Sequence, residues 1–297
     1  MIFLLAVSIL WAFSFGLIKG RLAGLDPVAV SAVRMAFAAA VFLPFLRPRA
    51  LPRRDVISLS ALGAVQFGLM YVLYITAFGY LKAHEVALAT TLTPAYVALL
   101  YAAVENRTRW RHMAAAGLAV AGAAILIWEK HASDSIITGF LIVQAANLCF
   151  AAGQIAYKRI RPTLPAGLKD SAIFFWPCAG ALAATSATSL LMTDWGGFAP
   201  SVSQWAVLAY LGVLASGAGF FLWNYGALHV NTGTLAAFNN AKVPLAVACS
   251  LLFFGETPES IPRLLGSLAL LALAVIITER DLASDDIKKA GPGGPAR

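Results

Sequence analysis

Ten predominantly apolar runs dominate this chain, near residues 2–19, 27–46, 57–80, 86–104, 112–128, 137–158, 171–192, 204–228, 234–254 and 262–278. Each is bounded by Arg, Lys, Asp, Pro or Gly clusters. A helix needs about 20 apolar residues to cross the hydrocarbon of a bilayer. Lipid offers backbone N–H and C=O groups no partner, so only helices or closed barrels span it, and runs of this length without strict alternation are helices. The expected fold is an all-α polytopic membrane protein with ten transmembrane helices.

Composition excludes the soluble alternative. Hydrophobic residues make up 60% of the chain and charged ones 12%, against about 25% charged in ordinary soluble domains. Too little polar side chain remains to coat a soluble surface, so the bilayer has to act as solvent. The net charge of +8 does not point to nucleic acid, because the basic residues sit in short breaks between apolar runs. Cys149, Cys178 and Cys249 each lie inside a run, show no metal or redox spacing, and read as packing thiols. The first run has no basic residue before it and no small-residue cleavage site after it, so it reads as a retained span.

Charge placement sets the expected orientation. With the N-terminus in the cytoplasm, cytoplasmic breaks and the tail hold 15 Lys and Arg against 5 on the other side, which favours both termini inside. Arg34 and Lys242 complete the 22 and fall within runs.

Patterns also recur along the chain. WAFSFGLIK from Trp11 to Lys19 echoes FAAGQIAYK from Phe150 to Lys158, and Thr93, Pro94, Val97 and Ala98 echo Val243, Pro244, Val247 and Ala248. The expected units are residues 1–132 and 133–280 with five runs each, and 281–297 as a polar, Gly/Pro-rich tail read as disordered. Five is odd, so the second unit would enter the membrane inverted, the plan of many secondary transporters with a site near the midplane.

The ninth run opens with NNAKVP, Asn239 to Pro244, which lipid alone would penalise. Lys242 lies eight residues past Thr234, about 12 Å deep at ~1.5 Å per residue, close to the midplane. No Asp or Glu lies well inside any run, so the ammonium is left for a carboxylate that a substrate brings. Proline lacks the N–H that would bond four residues back, which frees the Asn240 carbonyl at Pro244 and the Thr90 carbonyl at Pro94. Pro94 and Pro244 are read as hinges, and Asn239 and Asn240 with the freed carbonyls as partners for an ammonium. A zwitterionic amino acid suits both poles. The alternative is a snorkelling Lys242 beside asparagines that join helices.

Three features resemble the EamA type of the drug/metabolite transporter superfamily over residues 4–278: LWAFSFGLIK from Leu10 to Lys19, Asp26 and Pro27 followed by Arg34, and the series Pro244, Glu256, Gly266. The chain departs from that pattern in the longer spacing from Glu105 to Gly117 and in TPESIP after Glu256. Within the superfamily the chain is most similar to bacterial inner-membrane exporters of aromatic and other amino acids. The resemblance implies ten helices, alternating access, and a cavity lined by spans one, three, four, six, eight and nine. Trp11, Tyr74, Phe78, Tyr157 and Trp223 fall on those spans, with Asn147, Gln154 and Asn224 as polar neighbours. Arg34 reads instead as a brace or headgroup contact, and Lys19 and Lys158 as interfacial anchors. The Gly117/Ala121, Gly180/Ala184 and Gly212/Ser216 pairs read as close-packing signals.

The expectation is a monomeric exporter of neutral amino acids, possessing no catalytic residue, cofactor or metal, with facilitated export preferred over antiport. A carrier of drugs or other small metabolites is the alternative. An intramembrane enzyme is disfavoured: His84, His112, His131 and His229 sit at run edges or in breaks, leaving Ser216 without a general base.

Overall fold

The structure is a computed structural model that describes residues 2–105, 134–230, 232–255 and isolated positions between 260 and 276. Eight of the ten apolar runs coincide with described helices. The fifth run and the tail lie outside the described residues, and the tenth is described only at single positions. Among the described residues there is no strand.

Helix α1 is Ile2–Arg21, and α2 is Pro27–Phe42, prolonged by a 3-10 turn at Leu43–Phe45. The third rod joins α3, Arg53–Gly63, to α4, Met70–Ala77, through a π-helical segment at Ala64–Leu69. The fourth run is broken: α5, Ala83–Ala89, passes through a 3-10 turn at Thr90–Leu92 into α6, Thr93–Glu105. Then come α7, Asp134–Ile160, and α8, Asp170–Met192. Helix α9, Val202–Tyr210, continues through a second π-helical segment at Leu211–Ala218 into α10, Gly219–Leu228, and α11 is Thr232–Phe253. Among the described residues, six continuous helical stretches are long and apolar enough to cross a membrane. The chain is a multi-pass membrane protein.

Local chemistry accounts for the helix ends that frame the site. Asp26 caps α2 by accepting from the Ala29 N–H at 2.7 Å, and Pro27 occupies the first helical position, where its missing N–H costs nothing. The same carboxylate accepts from Thr193 Oγ1 at 2.7 Å, tying the start of α2 to the end of α8. Ser201 and Gln204 form a reciprocal capping box at α9. An Arg161–Asp170 ion pair at 2.5 Å closes the connection from α7 to α8.

Helix α1 packs on α11, α2 on α8 and on the segment Leu211–Ala218, α8 on Ala64–Leu69, and α7 on α4 and α6. Small residues permit the closest crossings. A Cβ on Gly180 would collide with the backbone of Ser60, and one on Gly63 with the backbone of Pro177, so α3 and α8 touch backbone to backbone. Gly212 meets Phe37 and the Arg34 carbonyl of α2 in the same way. Large apolar side chains such as Ile2, Leu5, Leu190, Leu191, Leu252 and Phe253 are exposed, the outer surface expected of a protein solvated by lipid.

The second proline differs from its counterpart. Pro94 sits in the first turn of α6, just past the break, whereas Pro244 lies within the continuous α11 and is exposed. The Thr90 carbonyl is not free: it accepts from the Thr93 N–H and from Thr93 Oγ1, the latter at 2.7 Å.

Candidate functional site

A cavity of about 550 Å³ of empty space, counting its mouth, opens among α1, α2, α4, the fourth run, α7, α10 and α11. Among the described residues, its wall combines aromatic rings, a few neutral polar groups and two cations.

Helix α1 contributes Trp11, Ser14, Phe15 and Ile18, spaced by three or four residues and so set on one face. Trp11 is held by its indole N–H, which donates to the Ala215 carbonyl at 2.8 Å. That carbonyl belongs to the π-helical segment, whose widened turn disturbs the regular bonding of its carbonyls. Phe220 of α10 faces Trp11 with ring centres 5.7 Å apart and Phe150 of α7 at 6.3 Å. It also meets Tyr71 at 5.3 Å.

The two cations occupy different sectors of this ring system. Lys242, 6% exposed, holds its Nζ 5.2 Å from the Trp11 ring centre, 5.6 Å from Phe150 and 6.0 Å from Trp223. Ring faces attract a cation, and more strongly away from water. Arg34, 1% exposed, lies over the Tyr71 ring at 4.3 Å. Its Nη2 donates to Tyr71 Oη at 2.7 Å and to Ser216 Oγ at 3.2 Å. Its Nε and Nη1 are buried without a hydrogen-bond partner. No Asp or Glu is among the described wall residues.

Neutral polar groups complete the wall near the fourth run. Asn147 donates to the Ala89 carbonyl at 2.9 Å, and its Oδ1 stands 3.2 Å from Thr93 Oγ1. Thr90 and Thr93 share the wall with it.

Of the residues singled out from sequence, Trp11, Tyr74, Asn147 and Lys242 line the cavity. Trp223 is buried one layer behind, with its ring centre 5.0 Å from that of Trp11. Asn224 is also buried, where it accepts from Gln66 at 3.3 Å and donates to the Phe220 carbonyl at 2.9 Å. Gln154 and Tyr157 are buried off the wall, Tyr157 with its ring centre 6.2 Å from Phe174. Phe78 lies beyond Tyr74, ring centres 5.1 Å apart, on the wall of a second cavity toward the end of α1. The side chains of Asn239 and Asn240 lie outside the described residues. Lys19 donates to the Phe78 carbonyl at 2.7 Å and so caps the end of α4.

Arg34, read from sequence as a brace or headgroup contact, bonds Tyr71 and Ser216 of two other elements and also stands on the cavity wall. The signal was present: Arg34 lies seven residues past Pro27, ~10.5 Å along the helix at ~1.5 Å per residue, nearly the depth assigned to Lys242.

A bundle of membrane-spanning helices around an aromatic, cation-bearing cavity defines the class of small-molecule membrane transporters. The chain belongs to the EamA-like transporter family, whose pattern it matches over residues 1–128 and again over 137–278. It is 38% identical over 274 residues to the biotin transporter of Escherichia coli (strain K12), covering 92% of this chain and 91% of that one. A probable biotin transporter of Pseudomonas aeruginosa is 39% identical over 272 residues, 91% of this chain and 94% of its own. A probable terminal-alkyne amino-acid exporter of Streptantibioticus cattleyicolor is 26% identical over 92% of this chain and 91% of its own. One solved crystal structure superposes with a TM-score of 0.69 at 18% identity, covering 95% of this chain and 97% of that one, a likeness of fold alone.

Proposed function

We propose that this chain carries a small organic carboxylate, biotin or a close chemical relative, across the bacterial inner membrane by alternating access around the central cavity. One observation carries the reading: Arg34 and Lys242 share the wall of one aromatic cavity with no described carboxylate beside them. Two cations held away from water favour an anionic guest and disfavour a lipophilic cation. Biotin offers a single carboxylate on an aliphatic chain and a compact bicyclic head, which aromatic faces and a few polar groups suit. The two biotin-transporting relatives cover more than nine-tenths of this chain, which supports the same reading.

Amino-acid export, the expectation from sequence, remains as the second reading, favoured by the exporter relative at 26% identity. It requires acceptors for an ammonium. Two described candidates are already engaged: the Thr90 carbonyl accepts from the Thr93 N–H and hydroxyl, and the Ala89 carbonyl accepts from Asn147.

The architecture that goes with this function is ten spans in two inverted units, 1–132 and 133–280, with both termini cytoplasmic. The double match to the family pattern supports two units. Helix pairing supports them too. Exchanging the units turns the contact of α1 with α11 into that of α7 with α6, and the contact of α2 with Leu211–Ala218 into that of α8 with Ala64–Leu69, all of which occur. Each unit also carries a π-helical segment in its third span.

Counterflow of labelled biotin into proteoliposomes tests the function. Unlabelled biotin is expected to compete, and biotinamide, which lacks the charge, to compete at least about tenfold less well. Lys242→Met is expected to abolish that difference. Counterflow of phenylalanine in the absence of biotin counterflow would return the protein to the amino-acid reading.

A further inference from the structure

Both cations favour an anionic guest, but the carboxylate pole at Lys242 leaves the donors of Arg34 on the same wall unassigned. The lysine has Trp11, Phe150 and Trp223 around its ammonium, whereas the arginine has Tyr71 and Ser216 as its neighbours. Its Nη2 is committed to two hydroxyls, but Nε and Nη1 are buried, unpartnered and part of a residue on the cavity wall. A guanidinium holds its charge under all ordinary conditions, so it cannot shed the cost by losing a proton. Protein groups that line a cavity and present only donors are complementary to a guest that presents only an acceptor.

The local backbone is built to hold that arrangement. Asp26 and Pro27 start α2 so that Arg34 arrives two turns down. Gly212 lets the π-helical segment approach the Arg34 carbonyl closely, which brings Ser216 within 3.2 Å of the guanidinium. Ser216 Oγ is steadied 2.9 Å from the Leu211 carbonyl and stands 3.2 Å from Tyr71 Oη. Three elements thus converge on one polar cluster within an otherwise aromatic wall.

We propose that Arg34, positioned by Tyr71 and Ser216, forms a second binding pole that takes a carbonyl oxygen at the end of the substrate remote from the carboxylate at Lys242. This rests on the biotin reading, in which the acceptor is the ureido carbonyl. The pole sets specificity: Lys242 accepts any carboxylate of suitable shape, and Arg34 selects those with a carbonyl at the other end.

Calorimetric titration of the purified protein with four ligands tests it: biotin, biotinamide, 5-cyclopentylpentanoic acid, which keeps the acid but lacks the ureido group, and azelate, which carries a second carboxylate. Arg34→Met is expected to weaken biotin and biotinamide at least about tenfold and to leave 5-cyclopentylpentanoate nearly unchanged. Lys242→Met is expected to weaken the two monocarboxylates and spare biotinamide. Tyr71→Phe and Arg34→Lys, which disturb the cluster less, are expected to show the Arg34→Met pattern at smaller size, and they carry the test if Arg34→Met does not fold. Equal losses for biotin and 5-cyclopentylpentanoate in every Arg34 and Tyr71 variant overturn the second pole while leaving the function intact. Tighter binding of azelate than of biotin by the wild type also overturns it, because the pole would then prefer a charge. Wild-type protein that binds no biotin removes both the function and the pole.

Discussion

Asp26 shows how a single residue positions the site without touching it. Its carboxylate caps α2 and accepts from Thr193, so one side chain sets both the start of α2 and its attachment to α8. Asp26→Ala is expected to cost about 0.5–2 kcal/mol through the lost cap and to lower the melting temperature in detergent. An unchanged melting temperature would show that the cap is dispensable. The Asp26, Pro27 and Arg34 series is legible in the sequence as a helix start with a cation two turns in. The cation's direction is not, because seven residues of helix state a depth and no azimuth. Lys242 was legible for a different reason: its run contained no acid to neutralise it, so burial and a free charge had to coincide. Trp223 and Asn224 sit on the same helix as Phe220, yet only Phe220 reaches the wall, a rotation about the helix axis that composition does not encode.

At the scale of helices and their breaks, the two prolines separate. Pro94 follows a 3-10 turn that already interrupts the helix, and the Thr93 hydroxyl and N–H satisfy the Thr90 carbonyl. Pro244 stands inside α11, two residues past Lys242. If these are the hinges, Pro94→Ala joined with Pro244→Ala stiffens both helices and slows counterflow while leaving the amount of folded protein unchanged. Wild-type rates from the double variant would remove the hinge role. Close packing gives a second expectation. Gly180→Leu forces a side chain into the Ser60 backbone and is expected to abolish monodisperse protein in size-exclusion chromatography, whereas Gly167→Ala, with open space around it, is expected to be silent. Monodisperse Gly180→Leu protein would contradict the tight α3–α8 crossing. Runs and breaks were readable because lipid imposes length and apolarity on every span. The π-helical segments were not, since one extra residue per turn leaves an apolar run looking the same.

For the whole molecule, hydrophobic runs announce a multi-pass bundle, and the recurrent WAFSFGLIK and FAAGQIAYK patterns are the sequence ground for the two units proposed above, but neither states which helices touch. That depends on side-chain detail: glycines that let α3 and α8 meet, and the Phe67–Phe220 stack at 4.2 Å that joins the third and eighth runs. Exchange of the units through inversion predicts that a reporter fused after residue 280 lies on the same side as one placed before residue 2. Opposite sides would be incompatible with ten spans. The most direct measurement is a structure determined with biotin bound in lipid nanodiscs. The predicted result is density in the central cavity with the carboxylate at Lys242 and the bicyclic head against Phe220, toward Arg34. Density confined to the second cavity beside Lys19, or an empty central cavity at saturating biotin, would contradict the assignment of the site.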